Sequence, residues 1–237
     1  MRASASALVE PGGVLRHVES APPLTLRRVH GPAGTAALCL VGSAAGPLAG
    51  DELGLALDIR GDTTLVAAGA MIAQGGGSTV HTQVYVNASL CADPGPLIIC
   101  AGARVDVTLD ITLAAGATLQ WHELLVLGRS GEPPGAATLR WNVTRDGTPL
   151  LRQFVDLADP ELVAWPGLLH GARTLATTLR VGPDLDARTV VHSPTDVTQR
   201  LADHATLRTT LGYGPGRPTD ASGATAPGVQ EPARSGS

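Results

Sequence analysis

The sequence predicts a mainly β protein: a single domain of layered or helically wound β-sheets, solenoid-like in outline, with one short C-terminal helix. Two observations carry this prediction. Apolar and polar residues alternate strictly across residues 104–113, and a period of two places every apolar side chain on one face of a strand. Short turn signals, each a glycine followed by the start of a β-favouring run, recur at Gly34, Gly61, Gly116 and Gly135. Their recurrence indicates a stack of β units. Because the spacing between them is unequal, they do not form a formal sequence repeat.

Residues 104–129 are predicted to form a central β-hairpin. Residues 114–117 supply a small turn between the alternating strand and a second β-favouring run, Thr118–Leu127. Residues 124–127 are apolar without alternation, as expected of a strand that is covered on both faces. Glu123 is a polar residue at the start of this covered segment, which makes it the most informative single residue of the chain.

A second hairpin is predicted between residues 139–145 and 150–157. Asp146-Gly147 lies between these two β-favouring runs. This dipeptide tolerates the positive φ angles that a two-residue hairpin turn requires, so it is a strong local signal for paired antiparallel strands.

The only helix is predicted near the C-terminus. Ser193 as N-cap, Pro194 at the first helical position and the acidic Asp196 in the first turn are typical of a helix start. The apolar side of this helix would consist of Val197, Leu201, Ala205 and Leu207. Gly, Pro, Ser and Thr dominate the residues that follow. A β domain over residues 1–212 and a disordered tail over residues 213–237 are therefore predicted.

Composition excludes several classes of function. The chain has 237 residues with 17 basic against 21 acidic side chains, a balance that argues against a dedicated nucleic-acid binder. Every basic residue is arginine, which removes Schiff-base chemistry and a lysine-dependent phosphate loop. The three cysteines show no CxxC spacing and indicate buried thiols rather than a disulfide framework. No signal-peptide core opens the chain and no apolar run approaches ~18 residues, so a cytoplasmic location is expected.

Enzymatic readings fail on geometry or on missing motifs. Asp106 and Asp110 share a strand face, but four residues of strand separate them by roughly 13 Å, whereas glycoside hydrolysis needs a carboxylate pair about 5–9.5 Å apart. The pair is better explained as part of a solvated face. No nucleophile elbow and no phosphate-binding fingerprint is present. A β-solenoid carbohydrate-active enzyme, with carboxylates contributed by neighbouring coils, and a generic β binding module stay open as alternatives.

The metal-ligating residues are dispersed. The seven histidines form no HxH or HExxH pair, and the adjacent His122 and Glu123 face opposite sides of a strand, so a permanent metal site is not expected. Glu123 is either a strand-edge carboxylate paired with an arginine or a group that lines an internal polar passage or partner interface. Asp51 is either a turn-forming residue or a functional carboxylate in a glycine-shaped loop. Arg129 and Glu132 flank one loop and are expected to form a local ion pair.

Five blocks of the sequence match family motifs in order. They are Gly50-Asp51-Glu52-Leu53, similar to G-G-D-x-L; Pro94 with residues 98–103, similar to a proline-bearing strand followed by G-A; residues 121–129, similar to W-(D/E)-L-L-x-L-G-R; Glu132 in the following G-E; and residues 145–151, similar to D-x-x-P-L-L. Together they resemble the urease accessory protein UreD family, called UreH in some organisms. The resemblance covers residues 7–157. Ala49 and Gln153 stand where the family commonly has Gly and Glu.

The resemblance implies a mainly β, non-enzymatic chaperone of metalloenzyme maturation. Such proteins bind apo-urease and dock UreF, which recruits the GTPase UreG, so that Ni²⁺ reaches the urease active site. No permanently bound cofactor is implied, and nickel would be in transit. Asp51 and Glu123 are the residues that the resemblance assigns to a transient nickel passage, and Arg129 and Glu132 are the candidates for a loop that contacts a partner.

Overall fold

Two β-sheets enclose one shared hydrophobic core in the computed structural model, which describes residues 1–213. Within these residues the chain forms eighteen strands and one short helix. In chain order they are β1 (Arg2–Glu10), β2 (Val14–Ser20), β3 (Leu24–Arg28), β4 (Ala36–Gly42), β5 (Glu52–Ile59), β6 (Thr63–Ala67), β7 (Met71–Ala73), β8 (Gly76–Val86), β9 (Ser89–Ala92), β10 (Pro96–Ile99), β11 (Ala103–Leu113), β12 (Thr118–Leu127), β13 (Ala136–Arg145), β14 (Thr148–Asp156), α1 (Pro160–Ala164), β15 (Thr174–Val181), β16 (Val190–Ser193), β17 (Asp196–Ala202) and β18 (Ala205–Gly212).

The smaller sheet has seven strands and the larger sheet has eleven. The smaller sheet runs β14-β13-β11-β8-β5-β1-β2. The larger sheet runs β16-β17-β18-β15-β12-β9-β6-β4-β3, with β10 paired to β12 and to β7 beside this path. The mainly β, single-domain prediction is therefore confirmed.

The chain winds back and forth between the two sheets from β4 to β13. β5, β8, β11 and β13 are parallel neighbours in the smaller sheet, while β4, β6, β9 and β12 are parallel neighbours in the larger one. The register runs without a shift across the smaller sheet, where Leu55 pairs with Thr82, Thr82 with Leu109 and Leu109 with Trp141. This winding is the layered, helical arrangement that the alternating strands and recurring turns predicted.

The predicted central hairpin is wrong, although both of its strands form. β11 pairs with β8 and β13 in the smaller sheet, whereas β12 pairs with β9, β10 and β15 in the larger sheet. The turn at residues 114–117 is an arch from one sheet to the other: the amide of Ala114 donates to Val86 and the amide of Thr118 donates to Ala88. A hairpin within one sheet and an arch between two sheets both consist of two strands joined by a short turn, so the local sequence does not distinguish them.

The hairpin at Asp146-Gly147 is confirmed. β13 and β14 pair in antiparallel register on either side of it, and φ is 49° at Asp146 and 72° at Gly147. Both angles are positive, as the two central residues of this turn type require.

The C-terminal helix is also wrong, because residues 190–212 form three antiparallel strands. Ser193 accepts a hydrogen bond from the amide of Thr195 at 3.2 Å and so stabilises a hairpin turn, not a helix start. Asp196 binds the guanidinium of Arg208 on β18 at 2.7 Å. Of the predicted tail, residues 214–237 lie outside the described residues.

The one short helix lies earlier, at α1. Asp159 is its N-cap and accepts from the amide of Glu161 at 2.8 Å, and Pro160 is its first residue. Within residues 1–213 no helix is long and apolar enough to cross a membrane.

The core is filled by the inward faces of both sheets. The five apolar residues of the alternating strand β11 are all buried: Val105, Val107, Leu109, Ile111 and Leu113. Trp121 on the larger sheet and Trp141 on the smaller sheet are each 2% exposed and belong to the same core. The two sheets therefore share one core.

Candidate functional site

Glu123 projects into the space between the sheets. Its neighbours on β12 alternate as a strand requires: Trp121 and Leu125 are buried in the core, while His122 faces outward and contacts Thr178 Oγ1 through Nδ1 at 2.9 Å. The indole Nε1 of Trp141, on the opposite sheet, donates to Glu123 Oε2 at 2.8 Å. This hydrogen bond joins the two sheets.

Glu123 lies in the interior of the larger sheet. Its register partner on one side is Thr177 of β15. On the other side, strand pairing of β12 stops at Trp121 and resumes at Leu124, where the chain passes from β9 to β10. The interpretation of Glu123 as an edge carboxylate paired with arginine is therefore wrong.

A cavity of about 180 Å³ surrounds the Glu123 carboxylate. Its walls come from both sheets and from the segment that follows α1: Glu123, Leu139, Trp141, Gln153, Val155, Leu168, Leu169, Leu175, Thr177, Thr209 and Leu211. Thr177 and Thr209 continue the row of Glu123 across neighbouring strands, since Glu123 pairs with Thr177 and Thr177 with Thr209. Gln153 is the register partner of Trp141 on the opposite sheet. Glu123 is the only ionisable residue in this lining.

The neutral walls change the acidity of Glu123. Burial raises the pKa of its carboxyl group from 4.5 to about 7, and the hydrogen bond from Trp141 offsets part of this rise. Near neutral pH the group therefore exchanges readily between a neutral acid and a carboxylate. Hydroxyl and amide oxygens of Thr177, Thr209 and Gln153 are the other polar groups in the cavity.

Asp51 occupies a different environment, in the loop before β5. It is 4% exposed, and its two oxygens accept from the amino group of Met1 and from the amide of Leu48, each at 2.8 Å. The Met1 amino group and the Leu48 amide lower the pKa of this carboxyl group below its usual value of 3.8. The backbone oxygen of Asp51 accepts from Thr79 at 2.9 Å, which ties the loop to β8. Asp51 is thus a turn-forming residue with both oxygens engaged.

Asp51 and Glu123 do not meet. Trp141, which contacts Glu123, lies three strands away from Leu55 in direct register, and Asp51 precedes Leu55 by four residues. At ~4.8 Å per strand and ~3.3 Å per residue, Asp51 is roughly 20 Å from Trp141, whose indole reaches Glu123. No single ion could contact both carboxylates.

Arg129 and Glu132 form the expected local ion pair in the loop after β12. Arg129 Nε donates to Glu132 Oε1 at 2.9 Å, and the Arg129 amide donates to Oε2 at 3.2 Å. These bonds lower the pKa of Glu132 from 4.5 to about 2. Arg173, which directly precedes β15, holds the same loop: its side chain donates to the backbone oxygens of Leu127, at 2.7 Å, and of Glu132.

Asp106 and Asp110 lie on the solvent side of β11, as predicted. Asp106 accepts from Thr138 Oγ1 at 2.7 Å. Asp110 contacts His81 Nε2 at 2.6 Å and accepts from Asn142 Nδ2 at 2.7 Å. Both carboxylates are thus engaged with neighbouring strands of the same sheet.

Sequence reasoning missed most of the cavity lining. Trp141, Thr177 and Thr209 come from strands far from Glu123 in sequence, and their hydroxyl and indole groups carry no local signal. Gln153 was named from the sequence only because it stands where the family commonly has Glu, and its place in the cavity was not predicted. In the part of the chain that the structure describes, no group of three or more His, Cys, Asp or Glu side chains could hold a metal ion.

Residues 1–213 thus form a β scaffold of two sheets, with one carboxylate in the cavity between them. Comparison with known proteins specifies the class. The sequence profile described as "UreD urease accessory protein" matches residues 5–227. The chain belongs to the UreD family, and it is an accessory protein rather than an enzyme.

Several curated relatives support this assignment. The urease accessory protein UreD 1 of Saccharopolyspora erythraea is 36% identical over 74% of this chain and 75% of its own length. The urease accessory protein UreD of Parafrankia sp. is 36% identical over 77% of this chain and 72% of its own length. The urease accessory protein UreD 3 of Streptomyces griseus is 32% identical over 89% of this chain and 90% of its own length. Membership in this family supports a role in urease maturation.

Proposed function

We propose that this protein is a scaffold of urease maturation that binds apo-urease and UreF in the cytoplasm, with UreG recruited through UreF. Family membership is the observation that carries the proposal. A rigid two-sheet core with long outer faces provides large surfaces for such partners.

We further propose that Ni²⁺ passes through the cavity and is held briefly by Glu123. The cavity offers one carboxylate with hydroxyl and amide oxygens, and no thiolate or imidazole lines it. Oxygen donors of this kind bind Ni²⁺ less tightly than imidazole or thiolate sets, so an ion that enters is also released. The carboxyl pKa of about 7 means that the ion displaces a proton at neutral pH.

Asp51 would be a second, separate position on the route. Both of its oxygens are engaged, so an ion that reaches Asp51 has to displace the Met1 amino group or the Leu48 amide. The two carboxylates therefore contribute in different ways: Glu123 faces open volume, whereas Asp51 requires its loop to rearrange.

A pull-down combined with a nickel assay tests both parts of the proposal. The tagged chain is expressed in cells that make urease and UreF, and nickel per purified urease is measured for the wild type, Glu123→Gln and the control Asp184→Asn, which changes an exposed carboxylate. We expect urease and UreF to co-purify in all three cases and nickel to fall by at least half only for Glu123→Gln. Unchanged nickel in Glu123→Gln would overturn the passage role, and absence of both partners from the wild-type eluate would overturn the scaffold.

A further inference from the structure

The segment from α1 to Leu169 has two different sides. Leu168 and Leu169 line the Glu123 cavity. Leu162 and Trp165 face water, with 42% and 60% of their surface exposed, and no residue of α1 is buried. The other two tryptophans of the chain, Trp121 and Trp141, are 2% exposed. Exposure of a large aromatic residue costs hydrophobic free energy unless something covers it.

Trp165 is held in place although it is exposed. Its ring lies so close to Gly167 that a Cβ added there would be 2.6 Å from Cζ2. The Trp165 amide donates to Leu162 at 3.2 Å, and its carbonyl accepts from Leu168 at 3.0 Å. A side chain that is already ordered loses little conformational entropy on binding, which is the property of an anchor residue.

The charged residues that most closely precede Trp165 in the sequence are acidic. Asp156, Asp159 and Glu161 lie between Arg152 and Arg173. Glu161 precedes Trp165 by four residues, so the helical spacing brings the two side chains onto one side of the segment. The carboxylate of Asp156 accepts from the backbone amide of Ala158, and the carboxylate of Asp159 accepts from the backbone amide of Glu161. The residue Glu161 itself is exposed. Glu161 therefore places one exposed carboxylate beside this apolar surface.

We propose that Leu162, Trp165 and Glu161 form a docking face for a protein partner that presents an apolar pocket bordered by Lys or Arg. The exposed carboxylate of Glu161 favours a cationic border on such a partner, and the ordered indole of Trp165 supplies the anchor. The inference rests on the proposed scaffold function and adds which surface performs it. A partner seated here lies against the segment whose inner leucines line the Glu123 cavity, so docking and access to the cavity share one structural element.

Phe154 provides a matched control. It is 56% exposed, close to the value for Trp165, but it lies on the outer face of the smaller sheet beneath the guanidinium of Arg140, 5.3 Å from the ring centroid. This aromatic residue already has a cationic neighbour within the chain. Removal of Phe154 tests whether loss of any exposed aromatic ring weakens binding.

The test measures affinity for two probes, purified apo-urease and purified UreF, with the wild type, Trp165→Ala, Glu161→Arg and Phe154→Ala. We expect Trp165→Ala to weaken binding of at least one probe by roughly tenfold or more. Glu161→Arg should weaken the same complex at low salt and less at high salt, and Phe154→Ala should change the dissociation constant by less than about threefold. Circular dichroism of each variant reports whether the fold is retained.

A second readout locates the contact directly. Incorporation of 5-fluorotryptophan gives three ¹⁹F resonances, one for each tryptophan of the chain. Binding should shift the Trp165 resonance and leave the two buried ones in place. Binding by the wild type with an unmoved Trp165 resonance, or with equal affinity for Trp165→Ala, would overturn the docking face and leave the scaffold function standing. No binding of either probe by the wild type would overturn both.

Discussion

Glu123 and Glu132 lie nine residues apart, yet their carboxyl groups experience opposite environments. Glu123 faces neutral walls and one indole N–H, and burial raises its pKa to about 7. Glu132 lies in a loop with Arg129, and this guanidinium lowers its pKa to about 2. Near neutral pH, Glu123 is therefore divided between its neutral and charged forms, whereas Glu132 is ionised.

The pH dependence of stability separates the two glutamates. For Glu123 the folded pKa is raised, so its contribution is present below about pH 4.5 and is lost as the pH rises through about 7. Glu123→Gln should gain about 2 kcal/mol of stability relative to the wild type between pH 5.5 and 8.5, because about 1.5 of the roughly 2.5 units of the pKa shift lie within this interval. Urea unfolding at both pH values measures this difference.

Glu132→Gln is the control for this experiment. The folded pKa of Glu132 is lowered, so its contribution is lost only as the pH falls from about 4.5 through about 2. Its difference from the wild type should stay constant between pH 5.5 and 8.5. Parallel behaviour of the two variants would contradict the assigned environments.

Asp51 stabilises the loop that precedes β5. Asp51→Ala removes the buried carboxylate that accepts from the amide of Leu48 and the amino group of Met1. We expect a loss of about 1–2 kcal/mol in the free energy of unfolding, because both donors belong to exposed residues and water can replace part of the lost hydrogen bonding. Asp184→Ala, at an exposed position, should change it by less than about 0.5 kcal/mol. Equal midpoints for the two variants in urea would show that the loop does not depend on Asp51.

At the scale of elements, the recurring glycines differ in what surrounds them. A Cβ at Gly135 would lie 2.5 Å from the carbonyl oxygen of Cys100 and 2.7 Å from that of Ile99, and one at Gly61 would meet the carbonyl group of Glu10. A Cβ at Gly116 would meet nothing within 4 Å. Glycine is thus required where the winding chain passes close to another backbone.

Alanine substitutions at these glycines should therefore diverge. Gly61→Ala and Gly135→Ala are expected to destabilise the protein by about 1–3 kcal/mol or more, because backbone atoms cannot move aside cheaply. Gly116→Ala should be neutral or stabilising by up to about 1 kcal/mol, because it restricts the unfolded chain without a clash. Thermal midpoints of the three variants measure this. A loss at Gly116 as large as at Gly135 would refute the steric argument.

Two segments with similar helix-start signals form different elements. Asp159-Pro160-Glu161 begins α1, whereas Ser193-Pro194-Thr195-Asp196 forms the turn between β16 and β17. Asp196 bonds Arg208 across the strands, and its carboxylate also accepts from Thr210 at 3.1 Å. Long-range pairing of a Thr- and Val-rich segment outweighs a local capping signal.

At the scale of the whole molecule, both sheets depend on one core. The chain crosses between them at successive strands, so neither sheet can detach while the other stays folded. Trp121 and Trp141 report on the two inward faces, and Trp165 reports on the outer surface.

Unfolding should therefore be a single cooperative transition. In Trp165→Phe, fluorescence excited selectively at tryptophan arises from the two core tryptophans, and its midpoint in urea should coincide with that from far-ultraviolet circular dichroism. A fluorescence transition at lower urea would indicate that the interface between the sheets opens first, contrary to a shared core.

The sequence alone determined which faces of the strands are buried, the hairpin at Asp146-Gly147 and the ion pair of Arg129 with Glu132. These features depend on side-chain period or on residues close in the chain. Only the tertiary structure decided that β11 and β12 belong to different sheets, because backbone hydrogen-bonding groups are the same in every strand and do not encode their partner. The tertiary structure also decided the environment of Glu123, because the residues that line its cavity are dispersed in sequence between positions 123 and 211. The acidity of a carboxyl group depends on the groups that surround it in space.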